Sequence, residues 1–265
     1  MRRLIPLFLL TALLLALTAQ VAGSRAGVSV VLNGQDTAIP AYTEDGRTMV
    51  PLRDIAEALG FTVVWDEDTR TAYLSDGAEA AALSAYTVVL DPGHGGSATG
   101  AEYQGVRESA LNLSIAQKAA AVLRREGVAV VMTRTGDSDL SLYARTDLAR
   151  RRSADLFVSI HCNVSTVNPD ALGVYTAYHP DSAEGRALAD TLRGAVMAAA
   201  DAPDMGVEER PDLAVLRTAA MPAALVECGF MSTPAELALL CSEDYQQRIA
   251  QGIADGVLTY LRGEK

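Results

Sequence analysis

Two histidines and two glutamates in this 265-residue chain sit where apolar segments give way to loops. His94 lies in Thr87-Val88-Val89-Leu90-Asp91-Pro92-Gly93-His94-Gly95-Gly96, an apolar strand broken by a proline and three glycines. His161 ends a second such strand, Asp155-Leu156-Phe157-Val158-Ser159-Ile160-His161, and Glu227 ends a third, Ala223-Ala224-Leu225-Val226-Glu227. Glu108 immediately precedes a helical stretch. A catalytic zinc takes three protein ligands from imidazole and carboxylate and leaves a fourth position open. Two histidines and one glutamate meet that count, and a further acid off the metal is needed to move a proton from water to the leaving group. Parallel α/β sheets gather chemistry at the carboxyl ends of their strands, so three strands ending in such groups point to one shared site. On residue type alone, Glu102 competes with Glu108 for the ligand role. The glycines around His94 lack the lysine and the spacing of a phosphate-binding loop, and are read as letting backbone approach the site closely.

The elements that must position these groups alternate. Strands are expected at 86–90, 128–133, 155–161, 173–178 and 223–227, with a short one near 213–216. Helices are expected near 109–126, 141–152, 182–201 and 243–262. Leu111, Ile115, Ala119 and Val122/Leu123 recur at helical spacing on one face of the first helix. Such alternation predicts an α/β domain, a largely parallel central sheet flanked by helices.

Taken in order, "VVLDPGHGG", a glutamate 14 residues after His94, "SIHCN" and "LVECGF" resemble the motif set of the zinc-dependent N-acetylmuramoyl-L-alanine amidases, bacterial cell-wall hydrolases. The resemblance runs from about Tyr86 to Leu261. It implies Zn²⁺ as cofactor, His94, Glu108 and His161 as its ligands, Glu227 as the catalytic carboxylate and peptidoglycan as substrate. The bond cut would be the amide between the lactyl group of N-acetylmuramic acid and L-alanine. A zinc peptidase acting within the stem peptide and a non-catalytic wall-binding protein are the alternatives. One departure concerns the loop after "ECGF", where the family often carries an Asn and this chain reads Met231-Ser232-Thr233. Only 65 residues separate His161 from Glu227, which leaves little room for a long inserted helix and predicts an open groove. Arg134 and Arg145 are expected to support the site or pair with acids. Arg150 to Arg152 close a helix and complement its dipole, and His179 is expected on a surface loop.

Residues 28–76 read as a small ββαββ-like α+β domain, 77–84 as a linker and 85–262 as the catalytic domain. Asn33-Gly34 is a hairpin turn signal, and "VPLRDIAEALGFTVVWDEDT" resembles the small domain named after the N-terminal region of copper amine oxidases. No histidine or cysteine occurs between Ser24 and Ala85, so the copper does not carry over, and contact with the wall or an envelope partner is expected instead. Trp65 is expected in a core. Arg2-Arg3 followed by the apolar run Leu4 to Leu17 predicts a signal peptide over 1–23, with an uncleaved anchor as the alternative. The run falls short of the roughly 20 residues a spanning helix needs. Removing 1–23 deletes two arginines and no acid, taking the net charge from −11 to −13. That excludes nucleic acid as a natural partner, because phosphate binding needs a cationic face. An exported monomer that holds the wall by shape, hydrogen bonds and metal is expected. Three cysteines do not make a disulfide framework. Cys162 and Cys228 follow His161 and Glu227, and strand alternation turns them to the packed interior if their neighbours face the site; a bridge between them is conceivable only on adjacent strands.

Overall fold

The computed structural model describes residues 28–67, 69–168 and 170–263, which fall into two compact units dividing between Gly60 and Phe61. The expected signal segment lies outside the described residues. In the first unit β1 (Val31–Leu32) pairs with β2 (Gln35–Asp36), and β3 (Tyr42–Glu44) pairs with β4 (Arg47–Met49), before α1 (Leu52–Ala58). Both hairpins turn through two residues at positive φ, Asn33-Gly34 and Asp45-Gly46, the conformation that matches strand twist and favours Asn-Gly and Asp-Gly.

The second unit opens with the hairpin β5 (Phe61–Asp66) and β6 (Thr71–Asp76), then α2 (Ala78–Leu83) and β7 (Thr87–Pro92). The stretch expected as a linker is thus largely helical, and its Leu83 belongs to the main core. A short hairpin, β8 (Glu102–Tyr103) and β9 (Val106–Arg107), leads into α3 (Glu108–Arg125), β10 (Ala129–Met132), α4 (Leu142–Arg151) and β11 (Leu156–Asn163). β12 (Val174–Tyr178), α5 (Ala183–Ala200), β13 (Asp204–Glu209), α6 (Ala214–Arg217), β14 (Ala223–Phe230), α7 (Pro234–Leu240) and α8 (Glu243–Arg262) complete it. The short strand expected near 213–216 is instead α6: Val215 and Leu216 are both buried, which a single-faced strand would not do with neighbouring residues.

The central sheet has the order β10-β7-β11-β14-β12-β13. The first four strands are mutually parallel; β12 runs antiparallel to β14, and β13 runs parallel to β12. Its two faces are covered unequally. Val88, Leu90, Val158, Ile160, Cys162, Val226 and Cys228 pack with the stripe of α3 and with α5 and α8. The alternate residues, Val89, Phe157, Tyr175, Ala223 and Leu225, meet Ala149 of α4 and Val215 and Leu216 of the short α6.

The β5–β6 hairpin is fastened to the sheet layer by a buried ion pair. Asp66 Oδ2 accepts from Arg124 Nη1 of α3 at 2.7 Å, and Arg124 Nη2 also donates to Val130 O at 3.0 Å. Trp65, on the opposite face of its strand from Asp66, is 48% exposed rather than in a core. Removing one partner of a buried pair strands the other charge, at about 3–5 kcal/mol. Asp66→Ala should therefore lower the denaturant midpoint by a corresponding amount in an equilibrium unfolding curve, far more than the neighbouring surface change Glu67→Ala.

Candidate metal centre

The loop after β7, the start of α3 and the end of β11 bring His94, Glu108 and His161 together. One ligand atom from each lies within 4.8 Å of the others. Glu108 bridges the two rings: Oε2 is 3.2 Å from His94 Nε2, and Oε1 is 2.8 Å from His161 Nδ1. The rings meet edge-on with centroids 4.9 Å apart. Glu108 is held further by the Ala101 N–H at 2.9 Å, Asn112 Nδ2 at 3.2 Å and the Cys162 N–H at 3.3 Å. Burial pushes its carboxyl up, but the hydrogen bonds from His161 and His94 outweigh that and hold it well below the usual carboxylate range. Glu102 is outside this cluster: it lies on β8, 55% exposed and 3.7 Å from Arg107.

The loop carrying His94 is strained and clamped. His94 has φ +60°, uncommon outside glycine. Two buried guanidiniums hold its backbone there. Arg134 donates to the carbonyls of Pro92, Gly93 and Ser109, and Arg145 donates to those of Pro92 and His94 at 2.9 and 2.8 Å. Arg145 also pairs with buried Asp91 at 2.8 Å, which accepts from Thr133 and Ser159 as well. The supporting role expected of both arginines is visible in these contacts, while Asp147 pairs with Arg150 and Arg151 on the surface of α4.

The donor set and its surroundings fit a divalent cation. Two imidazoles and a carboxylate converge, the rings stay partly open at 34% and 18% exposure, and the carboxylate stays ionised. Two glycines keep the space. A Cβ at Gly93 would overlap His161 Nε2, and one at Gly100, already at φ +70°, would lie 2.5 Å from Glu108 Oε2 and 2.7 Å from His94 Cδ2.

Glu227 is the strand neighbour of this cluster, because β14 pairs in register with β11 as His161↔Glu227. Its Oε2 is sealed from solvent and has no hydrogen-bond partner. Burial, and after it the charge of Glu108, pushes its carboxyl well above the usual range, with Arg210 pulling the other way. On its far side Tyr175 faces it across β12, a residue the sequence reading passed over. Cys162 and Cys228 are free and buried on the opposite face, as alternation requires. His179 lies four residues beyond Tyr175 on a strand running away from the cluster, about 13 Å along it, and contacts only Asp181 among the described ion pairs.

The loop after Glu227 is fixed without the family's Asn. Ser232 Oγ accepts from the Ser165 N–H at 3.0 Å, Thr233 Oγ1 donates to Ala171 O, and buried Glu236 accepts from the Phe230 and Gly173 N–H groups at 2.7 and 2.8 Å. Among the described residues, the connection from Val164 to Gly173 holds no helix.

The N-acetylmuramoyl-L-alanine amidase family profile matches residues 88–259, and the copper amine oxidase N-terminal domain profile matches 31–89. A sporulation-specific N-acetylmuramoyl-L-alanine amidase of Bacillus subtilis is 36% identical over 173 residues, 64% of this chain and 66% of that protein. The crystal structure of an N-acetylmuramoyl-L-alanine amidase from Clostridium difficile 630 is 40% identical and superposes with a TM-score of 0.65, covering 68% of this chain and 98% of that one. The catalytic domain of CwlV from Paenibacillus polymyxa gives 36% identity and a TM-score of 0.64, covering 67% and 98%. The chain belongs to the N-acetylmuramoyl-L-alanine amidase family.

Gly93→Ala should fold but lose metal. Its methyl displaces the His161 ring, and disturbing a ligand's orientation weakens metal affinity by about 10–100-fold. Competition with a chromogenic chelator, set against Gly136→Ala in open space, measures the difference.

Proposed function

We propose that this protein is a zinc-dependent peptidoglycan hydrolase that cuts the amide between N-acetylmuramic acid and the L-alanine of the stem peptide. His94, Glu108 and His161 hold the ion, and Glu227 is the catalytic carboxylate. The observation that carries this reading is the registered pair His161↔Glu227: a partnerless acid stands one strand away from a ready three-donor cluster. When bound, the ion supplies Lewis-acid polarisation of the scissile carbonyl and acidifies water.

The remaining work falls to side chains. Glu227, half-buried as a residue, takes a proton from the attacking water and delivers it to the leaving amine nitrogen. Burial, which favours its protonated form, suits it to hold that proton between the two steps. Glu108 stays anionic between the imidazoles. Asn112, one helical turn on, bonds both Glu108 and the Gly93 carbonyl at 3.2 Å and so ties two of the ligand-bearing segments together. The leader over 1–23 is read as an export signal, which brings the enzyme to a substrate outside the cytoplasm. Residues 28–76 are read as a contact module for the wall or an envelope partner, ahead of a catalytic domain that works as a monomer. No helix among the described residues is long and apolar enough to cross a membrane.

Digestion of purified wall, read by mass spectrometry, should release free stem peptides beginning with L-alanine. Shortened stems still attached to sugar would instead mark a peptidase acting within the stem. Glu227→Ala should reduce turnover by about 10²–10⁴-fold with zinc content unchanged, and chelation should abolish turnover until zinc is restored. A Glu227→Ala protein hydrolysing at the wild-type rate would remove Glu227 from the mechanism.

A further inference from the structure

Beyond the ligands and Glu227, one row of residues continues across the sheet. His161, Glu227 and Tyr175 occupy matched positions on β11, β14 and β12, so their side chains share a face. On β13, Glu208 is the partner of Ala177 and therefore shares that face too, and Arg210 follows two residues on. Arg210 is anchored at both ends. Its N–H donates to Tyr178 O at 2.9 Å, and its Nε and Nη2 grip Asp212 at 2.9 and 2.8 Å. From that anchorage it reaches the Tyr175 hydroxyl and the field of Glu227. Of the charged groups acting most strongly on Glu227 among the described residues, namely Glu108, Arg210 and Glu208, Arg210 alone is positive.

Its side chain is 32% exposed, and an Asp212 that fixes the Nε edge leaves further guanidinium N–H groups for a second acceptor, since arginine carries five donors. In a chain of net charge −11, an immobilised cation whose field reaches Glu227 is a place where an anionic part of the substrate is favoured over a neutral one. The stem peptide offers such a group close to the cut. Its second residue is a γ-linked D-glutamate whose α-carboxyl is either free or amidated. Arg210's backbone lies level with His179, and its guanidinium turns back to the Tyr175 hydroxyl, on the strand next to that of Glu227; two residues of extended chain span about 7 Å, enough to cross the one strand spacing of about 4.8 Å between them.

We propose that Arg210 is a specificity residue that binds the free α-carboxylate of the second stem residue, so that the enzyme prefers D-isoglutamate over D-isoglutamine stems. This rests on the amidase reading above. A planar guanidinium binds carboxylate through two charge-assisted hydrogen bonds, whereas a carboxamide offers one neutral acceptor and a mismatched donor.

The test compares N-acetylmuramoyl-L-Ala-D-isoglutamate with its D-isoglutamine counterpart on the zinc-loaded full chain. The wild type should favour the carboxylate by about tenfold in kcat/KM, with the difference residing in KM. Arg210→Gln should erase the preference, and Arg210→Lys, which keeps charge but not the fork, should reduce it. Calorimetric titration with the free dipeptides L-Ala-D-isoglutamate and L-Ala-D-isoglutamine should show the same discrimination in Kd without any turnover. If Arg210→Gln proves insoluble, the lysine variant and the dipeptide titrations carry the comparison. A wild type that does not distinguish the two stems, or an Arg210 variant that keeps the full preference, overturns the assignment. Failure of the wild type to cut either substrate while it digests wall at another bond would overturn the amidase reading itself, and the inference with it.

Discussion

The Glu108 carboxylate, gripped between two imidazoles at 2.8 and 3.2 Å, is the interaction on which the rest of this site depends. Same-sign donors would repel, and a neutral residue would leave two ring nitrogens without a partner in a half-buried space. An anion between them satisfies both rings and fixes their mutual angle before any ligand arrives. The arrangement demands heavy support, because the three groups come from three segments far apart in sequence. Much of the buried polar chemistry of the second unit answers that demand. Arg134 and Arg145 hold the backbone on either side of His94, Asp91 orients Arg145, and Asn112 connects the His94 loop to α3. These are expensive groups to bury, and they cluster here because the loop from β7 to His94 has a conformation it would not keep unaided.

The unequal cladding of the sheet explains why the site opens where it does. One face is fully roofed by α3, α5 and α8. The other is covered by α4 and the four-residue α6, which seal Phe157, Ala223 and Leu225 and stop short of His161 and Glu227. Alternation along β11 and β14 then divides the labour. His161 and Glu227 emerge on the thinly covered side, and Cys162 and Cys228 fill the thick one.

How much of this could be read from the sequence follows from what is local. The strands and long helices of the catalytic unit have clear periodicity and were legible; the strand ends were less so, because β11 runs on to Asn163 and β14 to Phe230, past His161 and Glu227. The two short pieces that were misjudged or passed over, α6 and α7, are set by tertiary burial. Val215 and Leu216 look like a strand until α4 is placed beside them; α7 carried a signal in Thr233-Pro234, a proline at the first helical turn, that its brevity obscured. Trp65 was drawn outward because its strand spends its other face on the Asp66–Arg124 pair, a contact between positions 58 residues apart. Tyr175 and Arg210 were invisible for the same reason. Nothing in their local sequence marks them, and only the antiparallel register of β12 against β14 sets Tyr175 opposite Glu227. Asn112 had a weak local mark, one turn after Glu108 on the same helical face.

The reversal of β12 has a consequence for how this architecture varies. β11 and β12 flank β14 rather than each other, so the chain leaving β11 must pass across the end of β14 before it can descend as β12. The crossing segment, from Val164 to Gly173, is pinned at its edges by Ser232, Thr233 and Glu236. Its length is decoupled from strand register: residues added between those pins would arch above β14 as an awning, leaving the framework beneath unaltered. A single connection thus works as an adjustable porch over an invariant floor.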